Sequence, residues 1–249
     1  MIEVQSTEPL KNLLGRIFER VFFFYPDTEQ KVWRGLVGID LQTPPENYSL
    51  QLEGITLDEA PIRANHNLKI VSKTFPTRRL TVDERFVNPP HTELERIQKE
   101  SKIIRGIFAQ LTPQRLWEGP FNSPVPGAPT SGFGKRSILN GQPRSPHGGT
   151  DFSAGTGTPV RSPSRGKVVL ASNLYYSGNT VILDHGQGLY SYFAHLSSFA
   201  VEEGTLVSAG DLLGNVGATG RVTGPHLHWS VRLCRTRVDP LSLMSLFSE

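Results

Sequence analysis

The C-terminal part of the chain contains a pair of histidines with the spacing of a metal or catalytic site, His226-Leu227-His228. In a β-strand, residues two apart project to the same face, so both imidazoles point one way. Leu227 and Trp229 then face the opposite side, where they can anchor the strand in a core. One ring of such a pair can bind a metal while the other handles protons, although two surface histidines would give the same pattern.

A second pattern, His147-Gly148-Gly149-Thr150-Asp151, places an imidazole and a carboxylate four residues apart with two glycines between them. Imidazole and carboxylate are common ligands of Zn²⁺, but this pattern alone is weak. Combined with the histidine pair, it supplies two histidines and one aspartate and leaves a fourth position for water, as in hydrolytic zinc sites. Zinc lowers the pKa of bound water to about 7 and polarises a carbonyl, so the predicted substrate is an amide.

The remaining histidines and the single cysteine are assigned by their surroundings in the sequence. A neighbouring imidazole can act as general base, and His195, at the end of a predicted strand, can hold the oxyanion or orient the water. His185 follows a strand and is expected to be structural, while His66 and His91 read as surface or turn residues. Cys234 has no partner for an internal disulfide and is expected to be a small buried side chain.

Short strands are expected to position these residues. The region 131–249 alternates apolar segments with glycines, which predicts an all-β domain of two packed sheets. Its clearest strands are residues 167–170, 180–183, 190–193 and 227–231, and a helical pattern is limited to residues 241–247.

The first 130 residues divide into two regions. Residues 1–75 contain alternating runs such as 48–52 and 68–71 and predict a β-sandwich-like domain. Leucines at helical spacing predict a helix over 9–14, with strand from 16. Residues 76–130 predict one connecting helix with apolar residues from Leu94 to Leu111 and Thr92 as N-cap, packed on a domain or dimerising. A Pro/Gly-rich linker with the domain boundary follows.

Composition bounds the function classes. The chain has 249 residues and a net charge of +3, with no basic cluster of the kind that nucleic-acid binders use. The positive excess lies in residues 131–249 and fits a solvated surface or a preference for an anionic substrate. The apolar run 21–25 is far too short to span a bilayer, so no transmembrane segment is predicted. No signal segment opens the chain at Met1.

Three separated motifs resemble the lysostaphin-type (LytM-like) zinc endopeptidases, which cleave peptide bonds in bacterial peptidoglycan. They are residues 147–151, the segment Tyr192-Phe193-Ala194-His195-Leu196, and residues 219–228. They occur in the family's order over about 131–240. The resemblance implies a C-terminal two-sheet β domain of this type in a mainly β chain, with a substrate groove formed by loops around a rigid β core.

The resemblance also assigns the site. It implies that His147, Asp151 and His228 bind one zinc ion per chain, that His226 activates the zinc-bound water, and that His195 stabilises the tetrahedral intermediate. Asn140, in Leu139-Asn140-Gly141, resembles a substrate-contacting asparagine.

A weaker likeness covers the N-terminal region. The segments Leu36-Val37-Gly38-Ile39-Asp40 and Arg79-Leu80-Thr81-Val82-Asp83 are similar to the accessory region that precedes the catalytic domain in some bacterial envelope members. The expected partner is therefore peptidoglycan peptide, the expected location is the bacterial envelope, periplasmic or secreted, and a monomer is the default. The alternative is a non-catalytic LytM-like module that activates another cell-wall hydrolase.

Overall fold

The N-terminal region forms one antiparallel sheet in the computed structural model, which describes residues 1–81, 89–143 and 145–247. Its six strands are hydrogen-bonded in the order β1-β4-β3-β2-β5-β6. The strands are β1 (Ile2–Gln5), β2 (Leu10–Ile17), β3 (Arg20–Pro26), β4 (Val32–Gly35), β5 (Asn47–Thr56) and β6 (Pro61–Lys69). Of the segment 79–83 that resembles an accessory region, Val82 and Asp83 lie outside the described residues.

The helix predicted over residues 9–14 is wrong, because all of this segment except Pro9 lies in strand β2. The register with β5 shifts between Leu10 and Asn12, as expected for a β-bulge. An extra residue at a bulge lets Leu10 and Leu13 both face the core although they are three apart, after which burial alternates with period two. The three-residue spacing of buried leucines that the bulge produces is also the spacing of a helix, which explains the wrong prediction.

The connecting helix is confirmed as α1 (Leu94–Ala109), which follows strand β7 (Thr77–Leu80). Thr92 is not its N-cap. It lies within a 3₁₀ turn, His91–Glu93, that runs directly into α1, and the N-cap Glu93 makes no side-chain capping bond. The buried end of α1 packs on a sheet: Phe108 belongs to one apolar cluster with Leu174 and Ile182.

The C-terminal region is built from short strands, as predicted, and ends in a short helix. In chain order, its elements are β8 (Pro129–Ser131), β9 (Arg136–Leu139), β10 (Gln142–Pro143), β11 (Thr150–Phe152), β12 (Pro159–Arg161), β13 (Gly166–Leu174), β14 (Gly178–Gly186), β15 (Leu189–Phe199), β16 (Leu206–Val207), β17 (Leu212–Val216), β18 (Leu227–Leu233), β19 (Thr236–Val238) and α2 (Pro240–Ser245). The prediction of a mainly β chain with one connecting helix is confirmed.

Strand order explains why distant motifs meet. The main path runs β16-β13-β14-β15-β18-β11-β8, so the strand that carries His228 lies between those that carry Ala194 and Asp151. Strand β17 branches from β15 and pairs with β12. Strands β7, β9 and β10 form a separate small sheet, in which β7 runs parallel to β9.

The N-terminal sheet packs against the C-terminal sheet through one contiguous core. Arg20 donates a hydrogen bond to Thr236, and the rings of Tyr25 and Trp117 meet edge-on with centroids 6.0 Å apart. Cys234 is buried at this junction, as predicted, and burial raises its thiol pKa to about 11. No helix within the described part of the chain is long and apolar enough to cross a membrane.

Candidate metal centre and active site

The three residues predicted to bind a metal converge on one point. Asp151 on β11 and His228 on β18 are directly paired across the two strands. Asp151 Oδ1 lies 2.8 Å from His228 Nδ1 and 3.0 Å from His147 Nε2, and the two nitrogens are 3.1 Å apart. Leu227 and Trp229 are fully buried on the opposite face, as predicted, so they fix the strand that carries His228 and that His226 directly precedes.

Glycine is required beside this cluster by close packing. A Cβ atom on Gly149 would lie 2.9 Å from Cε1 and Nε2 of His228 and would also clash with the carbonyl oxygen of Trp229. Carbon atoms in contact are normally about 3.5–4.0 Å apart, so a side chain at this position would displace the imidazole. The second glycine of the 147–151 motif thus makes room for His228.

The donor set fits a divalent metal. Ligand atoms arranged tetrahedrally at about 2.0–2.1 Å from zinc lie about 3.3 Å from one another, close to the spacing of these three atoms. His147 Nδ1 is 3.0 Å from the carbonyl oxygen of Gly132, to which it can donate its proton. The Nε2 lone pair of His147 then faces the other two donors, a cluster of electron pairs that a cation would stabilise.

Electrostatics keeps the cluster ready for a cation. Burial alone would raise the pKa of Asp151, but its close contacts with His147 and His228 outweigh burial and hold that pKa well below its ordinary value. Burial lowers the pKa of His228, a shift that its contact with Asp151 only partly offsets. The carboxylate is therefore ionised and His228 is biased towards the neutral form that binds metals.

His226 lies beside the cluster without joining it. Its Nε2 is 4.0 Å from Asp151 Oδ1, and its Nδ1 is 2.9 Å from the carbonyl oxygen of Gly224. A proton on Nδ1 donated to this carbonyl leaves Nε2 with a lone pair on the metal side. This arrangement suits a proton acceptor.

His195 is held next to His226, with ring centroids 4.9 Å apart. Its φ of 66° lies in the left-handed region, where a residue other than glycine is strained. Strained residues of this kind are enriched at functional sites. The backbone N–H of His195 donates to Ser177 O at 2.8 Å, and Nδ1 is 2.9 Å from Thr219 O. Burial lowers the pKa of His195 to about 4, so the resting ring is neutral.

A cavity of about 550 Å³ opens next to the centre. His147, His195 and His228 line it together with Tyr192 from the sheet. Its opposite wall is the connecting helix α1, whose position Glu100 secures by accepting a 2.8 Å hydrogen bond from the backbone N–H of Tyr175. An extended peptide could therefore approach the centre between the sheet and the helix.

Other predicted residues lie elsewhere. Asn140 is exposed at the tip of the β9–β10 hairpin, where its φ of 48° and the 79° of Gly141 fit a two-residue turn; it is not among the residues that line the cavity. His185 is fully buried, with Nε2 2.9 Å from Ser191 Oγ, as a structural residue would be. His66 and His91 are exposed.

Sequence reasoning missed several residues that shape the site. The carbonyl groups of Gly132, Thr219 and Gly224 select the tautomers of the nearby histidine rings. Every residue type has a backbone carbonyl, so the sequence gives no sign of these contacts. Arg232 lines the cavity and was also missed, although it could have been found by extending the alternation of His226 and His228 along the same strand face.

The chain is similar in sequence to known peptidases. Residues 145–240 match the family model described as Peptidase family M23. The chain is 46% identical over 86 residues to the peptidoglycan DD-endopeptidase ShyA of Vibrio cholerae, covering 34% of this chain and 20% of that protein. It is 41% identical over 97 residues to the DD-carboxypeptidase/endopeptidase Mpg of Neisseria meningitidis, covering 39% and 22%. The matched part thus spans about a fifth of each relative.

One solved structure matches over nearly the whole chain. It is a peptidase M23 structure from Pseudomonas aeruginosa, with 31% sequence identity and a TM-score of 0.76. The alignment covers 98% of this chain and 93% of that one. The likeness therefore includes the N-terminal sheet and the connecting helix as well as the region of the family model.

Proposed function

Because the chain belongs to peptidase family M23, we propose that it is a zinc-dependent endopeptidase that hydrolyses peptide bonds of bacterial peptidoglycan, in a cross-link or a stem peptide. The observation that carries the proposal is the convergence of His147, Asp151 and His228 within 3.1 Å, with His226 and His195 beside them. The name of the relative ShyA supplies the substrate class, and the names of ShyA and Mpg favour a D,D bond.

His147, Asp151 and His228 would hold one zinc ion per chain. When bound, zinc supplies a Lewis acid and lowers the pKa of water. His226 accepts a proton from the attacking water on Nε2, because its Nδ1 is occupied by the Gly224 carbonyl group. The imidazolium formed in this way can pass the proton to the leaving amine.

His195 stabilises the negative charge that develops on the substrate oxygen. Its Nδ1 proton is directed at Thr219 O, so Nε2 donates a hydrogen bond only after taking a second proton from solvent in the open cavity, to which it returns that proton when the negative charge is lost. Burial opposes the charged form and lowers the pKa to about 4. A negative charge facing Nε2 favours that proton, so His195 provides its hydrogen bond mainly while the charge is present. Asn140 remains proposed as a substrate contact from the β9–β10 hairpin.

The proposed substrate sets the place of action. Peptidoglycan lies outside the cytoplasmic membrane, so the proposed location is the bacterial envelope, periplasmic or secreted. A non-catalytic module that activates another hydrolase would need neither the complete ligand set nor two further histidines whose Nε2 atoms are left available beside it. The full set of five residues favours the enzyme.

The test is digestion of purified peptidoglycan sacculi, followed by mass spectrometry of the released muropeptides. We expect release that stops when a chelator is added and resumes with zinc, with about one zinc per chain by elemental analysis. The His226→Ala variant is the matched control, since it should keep zinc and lose release. Zinc-loaded protein that releases nothing, while stimulating a second hydrolase, would overturn the proposal in favour of the module.

A further inference from the structure

Two arginines face each other on neighbouring strands beside the candidate active site. In the antiparallel pair β18–β19, Arg232 and Arg237 are direct partners in register. Like charges placed directly opposite each other destabilise a sheet. Stabilisation of the sheet therefore does not explain the pairing of Arg232 with Arg237.

Neither guanidinium forms a close ion pair in the described part of the chain, and the more distant charge of Asp40 only partly offsets the lowering of the Arg232 pKa. Among residues 1–81, 89–143 and 145–247, no carboxylate lies within 4.0 Å of either arginine. Arg232 stacks over the ring of Phe108, 4.4 Å from its centroid, and donates a long 3.4 Å bond to the carbonyl oxygen of Arg235. Burial and the charge of Arg237 lower the pKa of Arg232 to about 10, so it is still a cation at neutral pH.

Both arginines line the cavity that His147 and His228 also line. His228, Ser230 and Arg232 occupy alternate positions of β18 and all line this cavity, so they share one strand face. Four residues of strand span about 13 Å, which is the distance along β18 from the metal ligand to Arg232. An extended peptide covers this distance in about four residues.

Arg237 reaches closer to the centre. A Cβ atom on Gly148 would lie 2.8 Å from Cδ and 3.0 Å from Nε of Arg237, so the arginine stem crosses directly over this glycine. Gly148 follows the metal ligand His147 in the chain. The first glycine of the 147–151 motif therefore gives Arg237 a path to the rim of the centre.

The cavity as a whole carries positive charge. Arg105 and Arg221 also line it, whereas its only lining carboxylate among the described residues is Glu100. Glu100 is already engaged, with a 2.7 Å ion pair to Arg96. An anionic group entering the cavity would thus meet several cations and no carboxylate in need of a partner.

We propose that Arg232 and Arg237 form a subsite that binds a free carboxylate of the peptide substrate, within about four residues of the scissile amide. The inference rests on the proposed function and names the class of peptide that the site selects. The planar guanidinium matches a carboxylate with two parallel hydrogen bonds, so two guanidinium groups can hold both oxygens. The bound anion also relieves the repulsion between the two arginines.

The test uses two synthetic cross-linked peptides that differ only in whether the carboxylate nearest the scissile amide is free or amidated. Cleavage by the zinc-loaded full chain is followed by chromatography, and binding to the His226→Ala variant is measured by calorimetry. We expect the free carboxylate to raise kcat/KM and affinity by about 10-fold to 100-fold, the usual gain from a charged hydrogen bond. This preference should shrink to about twofold in Arg232→Gln and Arg237→Gln.

Three variants make the interpretation specific. Arg165→Gln is the matched control, because Arg165 is a surface arginine of the same region paired with Glu118 at 3.0 Å, and it should keep the full preference. Arg232→Lys keeps the charge without the planar fork and should recover only part of it. Arg237→Gln should melt no lower than wild type and keep its zinc, because it removes a repulsion, whereas a merely structural arginine would lower the melting temperature.

The outcomes separate the inference from the function on which it rests. Equal cleavage of the two peptides by wild type would overturn the subsite and leave the peptidase standing. Binding that prefers the free carboxylate and loses this preference in both arginine variants, without cleavage, would support the subsite and refute the peptidase. Absence of both binding and cleavage would overturn both.

Discussion

Replacing His226 and His228 one at a time should separate the loss of metal binding from the loss of turnover. His228→Ala removes a nitrogen that lies 2.8 Å from Asp151 Oδ1 and 3.1 Å from His147 Nε2. Loss of an outer hydrogen-bond partner alone costs about 10–100-fold in metal affinity. Loss of a ligand should therefore cost more than about 100-fold, or about 2.7 kcal/mol. Turnover should disappear with the metal.

His226→Ala should behave differently, because its Nε2 stands 4.0 Å from Asp151 Oδ1 and its Nδ1 is tied to Gly224. All three donors remain, so zinc affinity should stay within about 10-fold of wild type, while kcat falls by about 10²–10⁴ as a general base is lost. Zinc is measured by mass spectrometry after dialysis against a competing chelator, and turnover on sacculi. Equal zinc retention by both variants would refute the assignment of His228 as ligand and His226 as base.

Three further results are expected. Gly149→Ala should displace the His228 ring and lower zinc affinity by more than about 10-fold, whereas Gly155→Ala, where a Cβ meets nothing within 4 Å, should not; equal affinities would contradict the packing argument. Burial lowers the pKa of His185 from 6.5 to about 4, so the folded state binds fewer protons. The unfolding free energy of chelator-treated protein should then fall by up to about 3 kcal/mol from pH 6.5 to 4, and by less in His185→Gln. Denaturant titrations measure this free energy at each pH, and the same pH dependence in both proteins would count against the prediction. Zinc binding should weaken on acidification as the ligand histidines are protonated, and because burial lowers the pKa of His228, its share of the loss should come at lower pH than for an ordinary histidine; zinc affinity that does not change on acidification would contradict the ligand assignment.

Features that depend on neighbouring residues could be predicted from the sequence, whereas features that depend on contacts between distant residues could not. The alternation His226-Leu227-His228 is local, so the strand, its buried face and its paired imidazoles could be predicted. The segment 9–14 failed because the bulge near Lys11 depends on register with a strand some forty residues away. Thr92 failed as a cap because the 3₁₀ turn before α1 is not distinguishable from a helix start by residue type.

The position of α1 on the sheet could not be predicted, because it depends on contacts with residues that are distant in the sequence. Its apolar face predicted packing on a domain, but which surface it covers depends on Phe108 fitting against the β13–β14–β15 face and on the bond between Glu100 and Tyr175. Both partners are distant in sequence. The helix consequently forms a wall of the cavity, a role that its own pattern does not encode.

Backbone carbonyls fix the same tautomer in three of the four histidines of this site. His147, His195 and His226 each direct Nδ1 at a carbonyl oxygen 2.9–3.0 Å away, which leaves Nε2 as the reactive atom in all three. His228 has the reverse orientation and offers Nδ1 to Asp151 at 2.8 Å. Because a carbonyl accepts but cannot donate, it fixes one tautomer in a way that a hydroxyl would not. The loops at Gly132, Thr219 and Gly224 therefore act on the chemistry through backbone position, so substitutions that shift these loops should alter proton transfer while preserving every histidine.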